Sequence, residues 1–242
     1  MDISRRKFSS VGIIVFLTII VPLLWAQRPA KTLSSRHLTA EMVSRQFLSQ
    51  HPRPRDEAEK RIIAIMEDMY TNQSRGMGNI LPEDGRLMRI LTETLGAKHV
   101  VELGTANGYS AMWFCLALRS TGGRLTTHEI DSKRIALAKE NFKRAAVKDL
   151  VTLVEGDAHE TIDRLTEPID LLLLDAEKEG FTDYLNRLLP LVRTGGLIIA
   201  HDSSGQAHMM EDYFHMIIGN SDLETVFVDA SRWGMAITRK MR

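Results

Sequence analysis

Cysteine occurs once in the 242 residues, at Cys115, so no intrachain disulfide can form. Its place in an apolar stretch marks it as a buried, inert thiol. Neither sign of charge is in excess: Lys and Arg together number 31, and so do Asp and Glu. With no basic stripe interleaved with aromatics, that balance excludes nucleic acid as a partner. No internal repeat is present, which excludes a solenoid. The Gly-x-Gly-x-x-Gly signature of dinucleotide binders is also missing. Long apolar runs are missing too, apart from one between Val11 and Ala26.

That run follows Ser4-Arg5-Arg6-Lys7-Phe8, a basic start before an apolar stretch, the pattern of a signal peptide or signal anchor. The paired arginines resemble a twin-arginine export signal. Leu24 stands where a cleavage site prefers a small residue, and 16 residues are slightly few for a membrane span. Membrane contact through residues 11–26, as an export leader or a retained anchor, is the expectation. The basic start favours a domain on the far side of the membrane.

Residues 31–55 are polar and broken by His51-Pro52-Arg53-Pro54, so a linker with one short helix near 39–49 is expected. Residues 56–70 space Ile62, Ile63, Ile65, Met66 and Met69 as an amphipathic helix does. Residues 71–79 form a polar, glycine-bearing loop. Pro82 then opens a helix with Glu83 and Asp84 in its first turn, where negative charge is favoured. The chain thus divides into a leader or anchor (1–30), a linker with N-terminal helices (31–75) and an α/β domain (76–242).

From His99 on, strands and helices alternate. Strands are expected at 99–103, 125–130, 151–155, 169–175 and 197–201. Helices are expected at 110–120, 132–146, 158–165, 181–192 and 206–218. Such alternation gives a parallel, doubly wound sheet with right-handed crossovers. Residues 223–228 and 235–238 then follow without a helix between them, which makes an antiparallel hairpin. The sum is a seven-stranded α/β fold ending in that hairpin, with helices added at the N-terminal side.

The turn after the first strand reads Glu102-Leu-Gly104-Thr105-Ala-Asn-Gly108-Tyr109-Ser110. Glycine lets a ligand approach the backbone closely, and the helix that follows points N–H groups at it. An acid two residues before the first glycine would repel a pyrophosphate and suits an amino-bearing ligand. This stretch resembles the first motif of class I S-adenosylmethionine-dependent methyltransferases, and among them the cation-dependent catechol and caffeoyl-CoA O-methyltransferases. Glu129, Gly156-Asp157-Ala158 and Asp175 match that group in order and spacing over roughly 76–242.

The resemblance implies a Rossmann-like methyltransferase fold, a homodimer, and S-adenosylmethionine as cofactor. That cofactor is made in the cytosol and argues for a cytoplasmic catalytic domain, against the orientation the basic start favours. It implies binding by Glu102, Gly104, Thr105, Gly108, Tyr109 and Ser110. Glu129 would hold the ribose, Asp157 and Ala158 the adenine beside Gly156, and Asp175 would end the site. It further implies methyl transfer to a small phenolic or catechol-like hydroxyl. Asp175-Ala176-Glu177-Lys178 resembles the group's Asp-x-x-Lys, in which the aspartate binds a divalent metal and the lysine is general base. A metal close to that lysine would disfavour its ammonium form.

One segment departs from the group. Where the group has Ala-Asp-Asn, this chain has Ala200-His201-Asp202. Histidine and carboxylate both ligate metals, so Asp175, His201 and Asp202 are candidate ligands, with a softness suited to transition metals. Three roles for His201 stay open: ligand, metal-free base, or structural residue. A chain that keeps the fold without catalysis, tethered at a membrane, is the rival from another class. Met77 and Trp233 are candidates to line an aromatic acceptor slot.

Overall fold

The computed structural model describes residues 51–242. The leader or anchor at 1–30 and the short helix expected near 39–49 lie outside the described residues. Among the described residues no helix is long and apolar enough to cross a membrane.

Two helices precede the sheet. α1 (Glu57–Asn72) is capped by Asp56, whose side chain accepts from the Glu59 N–H at 2.8 Å. α2 (Pro82–Leu95) opens on its proline, as the missing N–H of that residue permits. The alternating region then gives β1 (His99–Leu103), α3 (Tyr109–Thr121), β2 (Arg124–Glu129), α4 (Ser132–Arg144), β3 (Val151–Glu155) and the one-turn α5 (Ala158–Thr161). It continues with β4 (Ile169–Leu174), α6 (Phe181–Leu188), β5 (Val192–His201), α7 (Glu211–Gly219), β6 (Leu223–Val228) and β7 (Met235–Lys240).

The seven strands lie in the order β3-β2-β1-β4-β5-β7-β6. The first five are mutually parallel, and β7 runs antiparallel to both β5 and β6. This is the doubly wound sheet with the terminal hairpin that the alternation predicts.

Strand periodicity sorts the core. Val100, Leu171 and Leu173 face one side, where they meet Met66, Met69, Trp113 and Phe114 of α1 and α3. Val101, Leu103, Leu172 and Leu174 face the other, against Phe181, Leu185 and Tyr213 of α6 and α7. Both faces are covered, so β4 is an unbroken apolar run rather than an alternating one. α1 shares the first of these cores, which ties the N-terminal helices to the sheet.

Several boundaries differ from expectation. The helix expected over 206–218 starts at Glu211, and the one expected over 158–165 is α only to Thr161 and continues as a 3-10 turn to Arg164. The helix expected over 181–192 stops at Leu188, because Pro190 lies just beyond and cannot continue it. β5 starts at Val192 rather than 197 and carries the Gly195-Gly196 pair inside it. A register shift of β4 against β5 between Ile169 and Leu171 accommodates those residues.

Candidate active site

In an open α/β sheet, ligands bind beyond the carboxyl ends of the strands. A cleft of about 930 Å³ opens there. Of the residues singled out in the sequence, Gly104, Thr105, Tyr109, Ser110, Glu129, Gly156, Asp157, Ala158, Asp175, Lys178 and Asp202 line it. The loop before α2 supplies the facing wall through Met77, Asn79 and Ile80. Glu102, Gly108 and His201 do not line it.

The turn after β1 owes its shape to two glycines. Gly104 has φ +98°, and a side chain there would collide with the Asp175 carbonyl, so β1 and β4 can end side by side only with glycine. Gly108 has φ +89° and packs under the Phe142 ring. Its part is to seat α3 on α4, not to touch a ligand.

Glu102 requires a correction. It is fully buried, and both its oxygens are taken from inside: Ser110 Oγ donates to Oε1 and Thr127 Oγ1 to Oε2, each at 2.5 Å. It organises the turn and offers no oxygen to the cleft. Burial, reinforced by Asp175 and Glu129, outweighs the two hydrogen bonds and pushes its carboxyl up to about 8. The folded chain therefore keeps a proton that the unfolded chain releases near 4.5. The stability tied to that proton is complete below about pH 4.5 and is lost as pH rises through 8. Glu102→Gln should remove this dependence. Its melting temperature relative to the parent chain should climb between pH 5 and pH 9, by an amount reflecting a few kcal/mol. A difference that stays flat over that range would mean that Glu102 is ionised when folded.

Glu129 ends β2 and does face the cleft. Its Oε2 accepts the Ala106 N–H at 2.7 Å, and its Oε1 accepts those of Ile130 and Asp131, each at 2.9 Å. A carboxylate has room for about four such bonds. The free capacity lies mainly on Oε2, so the side chain is held rigidly with one strong acceptor position open. Asp157 caps α5, accepting from the His159 N–H at 2.9 Å, and lines the cleft as well, so capping does not withdraw it from the cleft. The helix after Glu129 is capped by Asp131, leaving Glu129 free of that duty.

At the β4–β5 end of the cleft five charged groups converge. Lys178 Nζ lies 3.1 Å from Asp175 Oδ1 and 3.1 Å from Asp202 Oδ2, and 5.0 Å above the Phe181 ring. His201 Nδ1 lies 3.2 Å from Asp175 Oδ1 and 3.3 Å from Asp202 Oδ1. His201 Nε2 lies 3.2 Å from Asp84 Oδ2, on α2. Asp202 sits just past the end of β5 with φ +66°, a left-handed position that aspartate tolerates. That turn lets the consecutive residues His201 and Asp202 converge instead of pointing to opposite faces.

Electrostatics follow from this crowding. Burial alone would lower the His201 pKa, but the charge of Asp175 and the bonds to Asp175 and Asp84 prevail, and it is pushed up to about 10. Burial likewise works against the Lys178 ammonium, yet Asp175 and Asp202 hold its pKa above the ordinary lysine value. Among its own neighbours Lys178 is thus a stabilised cation; the disfavoured ammonium expected from the sequence is tied to a metal beside it. His201 is 2% exposed with both ring nitrogens held by carboxylates, which corrects its reading as a free base facing the acceptor.

In the sequence Asp84 is a first-turn acid of a helix; in the structure it is 0% exposed and meets His201 Nε2. Trp233 also moves: its ring packs on Gly205 and Arg232, outside the cleft, while Met77 lines it as expected.

A family model described as O-methyltransferase matches residues 56–213. The catechol O-methyltransferase of Niastella koreensis is 36% identical over 126 residues, covering 50% of this chain and 57% of its own length. The chain thus spans little more than half the length of the curated relatives it matches. Among solved structures, the SAH-bound methyltransferase of Podospora anserina superposes with TM-score 0.70 at 21% identity, covering 80% of this chain and 91% of that one. The O-methyltransferase of Bacillus cereus, solved in complex with SAH, gives 0.67 at 22% identity, covering 84% and 98%.

Proposed function

The chain belongs to the O-methyltransferase family, and from that premise we propose that it binds S-adenosylmethionine in the cleft and transfers its methyl group to a small phenolic or catechol-like hydroxyl. The observation that carries this reading is the order of groups along the strand ends. Glu129 on β2 and Lys178 after β4 stand on strands separated by β1, about 10 Å apart in the sheet direction. A nucleoside whose ribose meets Glu129 would carry its reactive sulfur over Gly104 and Thr105 toward Asp175 and Lys178. The carboxylates there suit a sulfonium cation and would repel a pyrophosphate.

The reaction is an in-line displacement. The acceptor oxygen forms a bond to the methyl carbon as the carbon–sulfur bond breaks, giving a methyl ether and S-adenosylhomocysteine. A phenol has a pKa near 10, so it must lose its proton for the oxygen to attack well. Lys178, facing the cleft, is the group placed to take that proton when neutral and to stabilise the oxyanion when charged.

The donor set at Asp175, His201 and Asp202 fits a divalent metal. One ligand atom from each lies within 4.8 Å of the others. The spacings of 3.2 and 3.3 Å from His201 Nδ1 to the two carboxylates match the about 3–3.4 Å between neighbouring ligand atoms around one metal at 2.0–2.2 Å. A cation held there would lower the pKa of a bound hydroxyl and fix its orientation.

Calorimetric titration with S-adenosylmethionine, followed by a methyl-transfer screen over phenols and catechols, tests the reading. Binding with no transfer to any hydroxyl would favour the silent binding protein instead. Glu129→Ala should weaken cofactor binding at least tenfold, since a hydrogen bond to a charged acceptor contributes roughly 1.5–3 kcal/mol. Unchanged affinity in a folded variant would remove Glu129 from the cofactor site.

A further inference from the structure

We propose that Asp84, tethered by Ser231, is the positioning residue that turns His201 into a metal ligand; the inference rests on the metal reading above. A carboxylate can only accept, so the Nε2 facing Asp84 Oδ2 at 3.2 Å carries the proton. Nδ1 faces the carboxylates of Asp175 and Asp202 and is protonated against them too, so it is the nitrogen that would give up its proton to a metal shared with them while Asp84 keeps the proton on Nε2. Metal-binding histidines commonly donate their far N–H to a carboxylate, which fixes ring orientation and raises ligand basicity.

Asp84 is itself fixed. Ser231 Oγ donates to the same Oδ2 at 2.6 Å, reaching across from the β6–β7 connection. The other oxygen, Asp84 Oδ1, is buried and has no hydrogen-bond partner among the described residues. A carboxylate at 0% exposure with an idle oxygen costs stability. Its position is explained by what it does to His201 rather than by what it does for α2. A site built with an aspartate at position 201 would have no use for an acid beneath it. Asp84 and His201 are therefore a matched pair, and the departure at 201 is read together with this acid.

The pairing predicts a sign reversal. In the full-length chain, Mn²⁺ binding is measured by the loss of the free-ion electron paramagnetic resonance signal, after thermal melting confirms folding. Asp84→Asn should weaken Mn²⁺ binding about 10–100-fold, the usual cost of losing such a partner. In a chain already carrying His201→Asp, Asp84→Asn should instead tighten Mn²⁺ binding, because it removes a like charge from beneath the new carboxylate. A merely structural Asp84 would shift both backgrounds in the same direction or neither, and either result overturns the inference. If the single variant does not fold, Ser231→Ala, which loosens Asp84 without removing it, takes its place in both backgrounds and should weaken Mn²⁺ binding only where His201 is present. Should the unmodified chain fail to take up Mn²⁺ at all, the metal reading falls and this inference with it. Mn²⁺ uptake by the parent chain without the reversal removes the Asp84 role alone.

Discussion

Replacing Lys178 with alanine should lower methyl-transfer turnover by roughly 10²–10⁴, the range for removal of a general acid or base. The affinity for S-adenosylmethionine should barely change, because Lys178 stands at the β4 end of the cleft and Glu129 at the β2 end. A fall in turnover without a matching change in binding is the mark of an interaction made in the transition state. Lys178→Arg separates the two things the lysine can do. Arginine keeps the positive charge between Asp175 and Asp202 but does not give up a proton. If proton transfer is the role, Arg rescues little; if it restores most of the rate, Lys178 acts as a fixed cation and the base assignment fails. Because Asp175 and Asp202 raise the Lys178 pKa, the neutral form is scarce at neutral pH, and the parent rate should climb with pH into the alkaline range. That climb should flatten in Lys178→Ala. Melting curves must accompany these assays, since removing Lys178 leaves three neighbouring carboxylates facing only His201.

Much of this arrangement was legible in the chain before it folded. The extents of β1, β3 and β6 follow directly from their apolar runs, because each is bounded by a turn or a helix start that the sequence announces. The cleft residues from β1 to β4 were legible because strand ends in a parallel sheet all point to one edge. The failures share a physical cause. Glu102 looks like a cleft residue from its place beside a glycine turn, but its partners Ser110 and Thr127 come from α3 and β2. Asp84 meets His201 across 117 positions, and Ser231 meets Asp84 across 147. No local pattern encodes contacts of that separation. A helix-start acid and a buried histidine partner look alike until the tertiary fold brings α2 over the end of β5. Trp233 failed for the same reason: the hairpin turns its ring onto Gly205 instead of into the cleft.

Thorough chelation should reduce turnover by about a hundredfold or more, given that a metal supplies several kcal/mol of charge stabilisation in such reactions. Activity should return better with Mn²⁺, Fe²⁺, Co²⁺ or Zn²⁺ than with Mg²⁺ or Ca²⁺. The reason is the donor set: one imidazole nitrogen with two carboxylates is softer than an all-oxygen site. His201→Asp replaces that nitrogen with oxygen and should move the preference back toward Mg²⁺. The shift should be incomplete while Asp84 remains, because the shorter carboxylate no longer reaches Asp84 with a donor and leaves a buried like charge behind the site where Nε2 now stands 3.2 Å from Asp84 Oδ2. Adding Asp84→Asn should complete it. The outcome that sinks this account is a rate untouched by chelation. The positive charge next to the acceptor would then come from the chain itself, through Lys178 at the cleft wall and His201 behind it, each already held protonated by its carboxylates. In that case His201→Asn should lower turnover even with all metal removed, whereas under the metal account a chelated chain has little rate left for that substitution to lower.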